Sequence, residues 1–202
     1  MKQMLAACAA LAIVTACAAS AQVVGQPAPN FKLPDANGKP VSLSDFRGKT
    51  VVIEWNNPEC PFVKKHYGSG NMQRTQAAAA KDGVVWLTIN SSAPGNQGYV
   101  SGAGAKAVVA QSGGQPTAYL LDPNGVAGKA FGAKTTPHMY IVNKAGSLVY
   151  AGGIDDKPTP NPADIAGARN HVLAALSELK AGKAISVPTS RPYGCAVKYK
   201  DS

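Results

Sequence analysis

Apolar and polar positions alternate along the chain in a way that predicts short strands separated by helices. "TVVIEW" (50–55) is a continuous, mostly β-branched apolar run, the signature of a central strand buried on both faces. "VVWLTINS" (84–91) predicts a second buried strand and "TAYLLD" (117–122) a third. "HMYIVN" (138–143) and "SLVYAGG" (147–153), joined by Lys144-Ala145-Gly146, predict a hairpin. Ahead of them, residues 24–50 predict two short strands around the turn Asp35-Ala36-Asn37-Gly38, then a helical turn at Ser42–Phe46. Between the strands, Cys60–Tyr67 predicts a short helix with Pro61 at its first position, and Gly68-Ser69-Gly70 interrupts it. Asn71 is placed to cap a segment Met72–Lys81 that Gly83 ends. A weak helix is expected over 97–112 and a helical turn over Val126–Phe131. "KPTPNP" (157–162) reads as a loop. Residues 163–182 predict the clearest helix, with Ile165, Val172, Leu173, Leu176 and Leu179 roughly on one face. Strand–helix–strand–helix–strand followed by a hairpin and a closing helix implies an α/β fold: a central mixed sheet flanked by helices, an N-terminal β-hairpin extension and an irregular C-terminal tail.

The first 21 residues depart from this pattern. Lys2 precedes an apolar stretch, Met4–Ala16, and Ala19-Ser20-Ala21 before Gln22 matches the A-x-A cleavage pattern of a secretory signal. The expected organisation is therefore a signal peptide, 1–21, and one domain, 22–202, with its core over about 24–182 and a tail, 183–202, carrying Cys195. A rival reading takes Val14-Thr15-Ala16-Cys17 as a lipoprotein box with Cys17 lipidated. Both send the chain to the periplasm or cell envelope. No later stretch approaches the roughly 20 apolar residues of a membrane span, so the mature chain is expected to have none. The formal net charge is +9 over 202 residues, but the basic residues are scattered, which argues against a nucleic-acid partner.

Charge thus says little, and cysteine says more. Of four cysteines, Cys8 and Cys17 lie in the leader, leaving Cys60 and Cys195. Cys60 directly follows a buried strand and directly precedes a helix. A sulfur there meets the positive end of the helix dipole and its free N–H groups, which favours thiolate over thiol. Lys64 and Lys65 add positive charge if their side chains curl back. The three histidines, His66, His138 and His171, have no metal-ligand spacing. His66 reads as a solvated residue near the helix end, His138 as a residue lining the site, and Asp155-Asp156 as the close of a turn. No glycine loop that could cradle phosphate follows a strand, and no cofactor is expected.

"GQPAPNFKLPDANGKPVSLSDFRGKTVVIEW" (25–55) resembles the opening of the peroxiredoxin-like (alkyl hydroperoxide reductase/thiol-specific antioxidant) branch of the thioredoxin superfamily. "TTPHMYIVNKAGSLVYAGGIDD" (135–156) is similar to that superfamily's segment placing a cis-proline beside the active site, here Thr136-Pro137. The tail "RPYGCAVKY" is similar to that of exported bacterial redoxins with a C-terminal Gly-Cys. The resemblance implies a thioredoxin-like fold and thiol chemistry at Cys60 and Cys195, with Trp55, Asn57, Pro61, Thr136 and Pro137 supporting the site. The chain departs from the thioredoxin pattern in having Val63 where a second cysteine would complete C-x-x-C. It departs from the peroxiredoxin pattern in having Ile53 and Asn57 where proline and a hydroxyl residue stand.

Cys195 is then the candidate partner of Cys60, with Gly194 freeing the local backbone. The expected function is an exported thiol oxidoreductase. Cys60 attacks a protein disulfide or a peroxide, Cys195 resolves the product, and an exported thioredoxin-like or membrane-borne thiol reductant restores the dithiol. Two other readings stay open. One is a redox-inert binding module with a structural Cys60–Cys195 bridge, which the chain-entropy model credits with about 5 kcal/mol. The other is a copper metallochaperone, although Val63 and Lys64 stand where such proteins carry part of C-x-x-x-C.

Overall fold

The computed structural model describes residues 24–200, so the expected leader, 1–21, with its cleavage and lipidation readings, lies outside the described residues. A five-stranded sheet runs β5-β4-β3-β7-β8. Its members are β3 (Val51–Trp55), β4 (Val85–Asn90), β5 (Ala118–Leu121), β7 (His138–Val142) and β8 (Leu148–Gly152). β3 is parallel to β4 and β4 to β5, whereas β7 is antiparallel to both β3 and β8. The sheet is mixed, as the sequence predicts. β1 (Lys32–Pro34) and β2 (Pro40–Ser42) form the N-terminal antiparallel pair, followed by a 3-10 turn at Leu43–Phe46.

β3 is buried at every position, yet its side chains still alternate with the two-residue strand period. Val51, Ile53 and Trp55 join one core with Phe31, Leu33 and Phe131. That side is covered by the N-terminal hairpin and by α4 (Val126–Phe131). Val52 points to the other core, with Met72, Met139, Ile141 and Val172. There the sheet is covered by α1 (Pro61–Gly68), α2 (Asn71–Lys81) and α5 (His171–Lys180). Fully burying one such aliphatic side chain contributes about 1.5–3 kcal/mol.

Several boundaries differ from expectation for local reasons. The N-cap of α2 is Gly70, at φ +72, not Asn71; the Asn71 amide instead faces His66 Nδ1 at 2.9 Å. The helix expected over 97–112 is α3 (Gly102–Ser112), starting where the Ser101 hydroxyl accepts from Gly104 N. The helix expected over 163–182 is split. Asn161 caps a 3-10 segment, Pro162–Gly167, and Asn170 accepts from Leu173 N to start α5. Val172, Ala175 and Leu176 form the buried face of α5, while Leu173 is exposed. The tail is irregular except for β9 (Cys195–Ala196), which pairs antiparallel with β6 (Thr135–Thr136). Among the described residues no helix is long and apolar enough to cross a membrane.

Candidate active site

β3 delivers the chain to the site. After Trp55, Asn56 N bonds Ile89 O, and the turn Asn57–Cys60 closes with Cys60 N on Asn57 O at 3.1 Å. Cys60 is the N-cap of α1, with Pro61 at the first helical position. Proline suits that position because its missing N–H has no intrahelical partner to lose. From the other side, the Thr136–Pro137 peptide, which is cis, and β9 bring backbone and Cys195 against Cys60. Cys60 Sγ lies 3.0 Å from Thr136 O and 2.7 Å from Cys195 Sγ. Both cysteines are free thiols in this structure, Cys60 buried and Cys195 partly exposed. Their sulfurs stand within a short displacement of the ~2.05 Å disulfide bond.

The tail is held on both sides of Cys195. Upstream, Ala151 N bonds Pro188 O, and Ser190 Oγ meets Tyr150 OH at 2.7 Å and Gly153 N at 3.0 Å. Downstream, Val197 N bonds Lys134 O, Ala93 N bonds Lys198 O, and Tyr199 OH donates to Ala133 O at 2.8 Å. Between them, the Tyr193 hydroxyl donates to Asp155 Oδ1 and lies 3.1 Å from His66 Nε2. The Asn71 amide donating to His66 Nδ1 leaves the ring proton on Nε2, directed at Tyr193. A directed chain therefore runs Asn71–His66–Tyr193–Asp155, from the start of α2 to the turn after β8, and grips the tail two residues before Cys195. A cleft of about 600 Å3 opens beside it, bordered by Phe62, Thr135, Asp155, Arg191, Tyr193 and Gly194.

The electrostatics of the two sulfurs differ in direction. Burial pushes the Cys60 thiol up, but the Cys195 thiol, the Thr136 side chain and the backbone N–H groups of Val63 and Cys195 outweigh it, and the net is below the ordinary 9.0. The Val63 N–H acts without forming a cap hydrogen bond. Burial and the neighbouring Cys60 push Cys195 up to about 11. The lysines contribute differently from expectation. Lys64 is exposed, and Lys65 is buried with its Nζ on Lys157 O at 2.8 Å and 3.9 Å from Asp155 Oδ2. Lys65 pairs with the acid and does not curl back to Cys60.

Of the residues expected to support the site, Pro61, Thr136 and Pro137 surround Cys60. Two others are engaged elsewhere. The Trp55 indole is fully buried, donating to Ser91 Oγ at 3.0 Å and packing on Phe131 and Tyr140. Asn57 spends its amide on Gln97 O at 3.1 Å and its carbonyl on Glu59 N at 2.9 Å, so it braces the loop. His66 is fully buried, not solvated; burial and Lys65 drive it down to about 4 against the pull of Asp155. His138 is buried too, its Nδ1 beside Tyr140 OH and Lys134 N, and burial drives it down to about 3. Asp155 does close a turn, accepting from Lys157 N at 2.9 Å, but it is also the buried anchor of Tyr193.

Sequence reading missed Glu54, Tyr193 and the paired Lys65. Glu54 is fully buried and receives Asn56 Nδ2, Tyr67 OH, Trp86 Nε1 and Thr88 Oγ1. Burial raises its pKa, and these donors only partly pull it back. An acid inside an otherwise apolar strand was the available signal.

The comparisons agree with this architecture. The sequence matches the AhpC/TSA family over residues 24–151. It is 32% identical over 74 residues to the thiol-disulfide oxidoreductase ResA of Bacillus subtilis (strain 168); the match spans 33% of this chain and 41% of that protein. The fold is similar to a hypothetical protein from Sinorhizobium meliloti 1021 (TM-score 0.74, 24% identity, 91% of this chain and 98% of that one). It is also similar to an uncharacterized conserved protein from Geobacillus kaustophilus (TM-score 0.74, 28% identity, 89% of this chain and 94% of that one). With the mixed sheet, the helix-capping Cys60 and a family match that runs from the N-terminal hairpin into β8, the chain belongs to the AhpC/TSA family of the thioredoxin superfamily.

Proposed function

We propose that this protein is an exported thiol-disulfide oxidoreductase that cycles between a Cys60/Cys195 dithiol and the corresponding disulfide. The observation that carries the reading is the 2.7 Å approach of two sulfurs 135 positions apart in sequence, one of them at a helix N-terminus. In the dithiol state Cys195 S–H donates to the Cys60 thiolate, which stabilises the reactive form. The tail is then held by hydrogen bonds and by the packing of Tyr193 and Val197 into the two cores, with no covalent tie, and its lifting admits an oxidant. Cys60 attacks a disulfide sulfur of the oxidant and one thiolate leaves. Cys195 loses its proton and attacks Cys60 Sγ, the second thiolate leaves, and the intramolecular bond closes. An exported thioredoxin-like or membrane-borne thiol supplies the electrons for the return. The basic and apolar leader, 1–21, supports placement in the periplasm or cell envelope.

Peroxide as the oxidant is the second reading, favoured by the full burial of Cys60, which a small molecule reaches more easily than a protein does. Against it stands Asn57, whose polar atoms are both committed to the loop. Mass spectrometry after one equivalent of oxidised glutathione, or of hydrogen peroxide, tests both. Wild type should close one intramolecular disulfide, Cys195→Ser should stop at a glutathione adduct or sulfenic acid on Cys60, and Cys60→Ser should do neither. Closure with glutathione disulfide but not with peroxide would retire the second reading. Closure with neither would retire both.

A further inference from the structure

We propose that the end of the sheet opposite the cysteines docks on an anionic phospholipid surface, so that the bound protein presents Cys60 and Cys195 away from the membrane. The inference concerns a separate face of the molecule and does not depend on the redox cycle.

Strand register defines the two ends. At one, Trp55 lies opposite His138, and the chain runs on to Cys60. At the other, Val51 lies opposite Val142 and beside Val85, and Val142 pairs with Leu148. β3 alone separates the ends by about 13 Å, at about 3.3 Å per residue. The second end is formed by the segment before β3, the link from α2 to β4 and the turn from β7 to β8. The C-terminal turn of α5 joins them, because Leu179 and Lys180 border one cleft of about 470 Å3 with Asp82 and Lys144.

Exposed cations collect there. Arg47 and Lys49 precede β3, Lys81 ends α2, Lys144 lies in the turn and Lys180 ends α5, and all five are exposed. They are scattered in the sequence, and the fold gathers them. Arg47 and Lys49 border a second cleft, of about 320 Å3, which shares Asn143 and Ala145 with the first, so the two clefts form one continuous surface. Asp45, which accepts from Ser42 N, and Asp82, which pairs with Lys180, offset two of the charges. Glu178 and Lys183, which interact at the same end, cancel. Three positive charges remain in excess. Among the described residues no carboxylate lies within ion-pair reach of Arg47, Lys49 or Lys144.

The chemistry between these cations favours lipid. The clefts have half-buried apolar residues beside the charges, Ala28 and Phe46 in one and Val84 and Leu179 in the other. A surface that mixes ammonium groups with apolar patches matches the boundary where headgroup phosphates meet acyl chains. Each Lys or Arg close to an anionic membrane raises partitioning about fivefold, so an excess of three gives a factor on the order of one hundred. Screening sets the range at about 10 Å in 0.1 M salt, so cations at the cysteine end contribute little. The N-terminal segment runs past the same turn, with Gly25 N on Leu148 O at 2.8 Å and Ala28 N on Gly146 O at 2.9 Å. A leader held at a membrane therefore brings this face toward it.

The test is vesicle sedimentation of the full chain, reduced, with phosphatidylcholine alone and with about one-third phosphatidylglycerol. The leader is identical in every variant, so differences between variants report on the folded face. Wild type should bind the anionic vesicles more tightly than the neutral ones, and the gain should disappear near 1 M salt. Lys49→Gln/Lys144→Gln should reduce that gain about 25-fold. Lys64→Gln/Lys134→Gln, an equal change of net charge at the cysteine end, should reduce it less than about fivefold. Thiols of the vesicle-bound wild type should alkylate as fast as those of the free protein. Equal binding to both vesicles, or equal losses in the two double variants, would overturn the proposed face. Slowed alkylation on the vesicle would overturn the orientation.

Discussion

Gly194 lies so close to Thr136 that a Cβ built on it would sit 2.0 Å from the Thr136 carbonyl oxygen. The same glycine has φ +134, in the region that L side chains rarely adopt. Only glycine lets the tail lie flat on the Thr136–Pro137 backbone, and that contact brings Cys195 over Cys60.

Gly194→Ala should therefore act on the sulfur pair more than on the fold. Backbone strain of about 1–3 kcal/mol corresponds to roughly a five- to 150-fold loss of disulfide at equilibrium with glutathione. Thiol–disulfide titration of the variant against wild type checks this. An unchanged equilibrium would show that the tail reaches Cys60 by another path.

Cys60 should be the more acidic thiol. Alkylation rate against pH should give Cys195→Ser a midpoint below the ordinary 9.0 and Cys60→Ser a midpoint above it. The reverse order would remove the electrostatic basis for calling Cys60 the nucleophile.

Tyr193→Phe removes the hydroxyl that bridges His66 and Asp155 and leaves buried polar atoms short of a partner. The expected cost is about 1–3 kcal/mol in the reduced protein. Thermal unfolding of reduced wild type and variant would show a drop of several degrees. An unchanged Tm would mean the chain through Tyr193 holds nothing.

Much of the fold was legible because burial and period agreed. β3, β4, β5, β7 and β8 are apolar runs bounded by turn residues, and Pro61 after Cys60 marked the start of α1. The split before α5 was harder to see, since Ile165 and Val172 share one apparent stripe while Asn161 and Asn170 each start a segment. In the site, Cys60, Cys195 and Thr136-Pro137 could be named from the sequence. Trp55 and Asn57 were named by position, but a side chain's partner depends on the fold: Ser91 takes the indole and Gln97 the amide. Lys65 reads as a charge that could curl back toward Cys60 and His66 as a solvated residue, because charged residues are usually exposed. Their burial depends on Asp155, in the turn after β8, and on Tyr193, in the tail, both far along the chain.

Acid should destabilise the protein between about pH 6.5 and 4. His66 falls from 6.5 to about 4 and His138 to about 3 on folding, so both take up a proton on unfolding across that window. Stability contributed by a depressed group is present above the unfolded pKa and lost as pH falls. His66 alone accounts for a loss on the order of 3 kcal/mol. Glu54, raised on folding, works in the opposite sense and offsets part of it. Urea midpoints at pH 7, 5 and 4 should fall in that order, and less steeply in His66→Gln. A flat profile would contradict the buried neutral histidines.

In the proposed function the Cys60–Cys195 bond is made and broken in use. The most direct test is a redox titration of the purified protein in dithiol–disulfide buffers, with the intramolecular bond scored by mass. The expected result is a single two-electron transition above about −300 mV, in the range that thiol reductants can reach. A bond resistant to reduction well below about −300 mV would make it a permanent staple, and absence of the bond under any oxidising buffer would contradict the pairing itself.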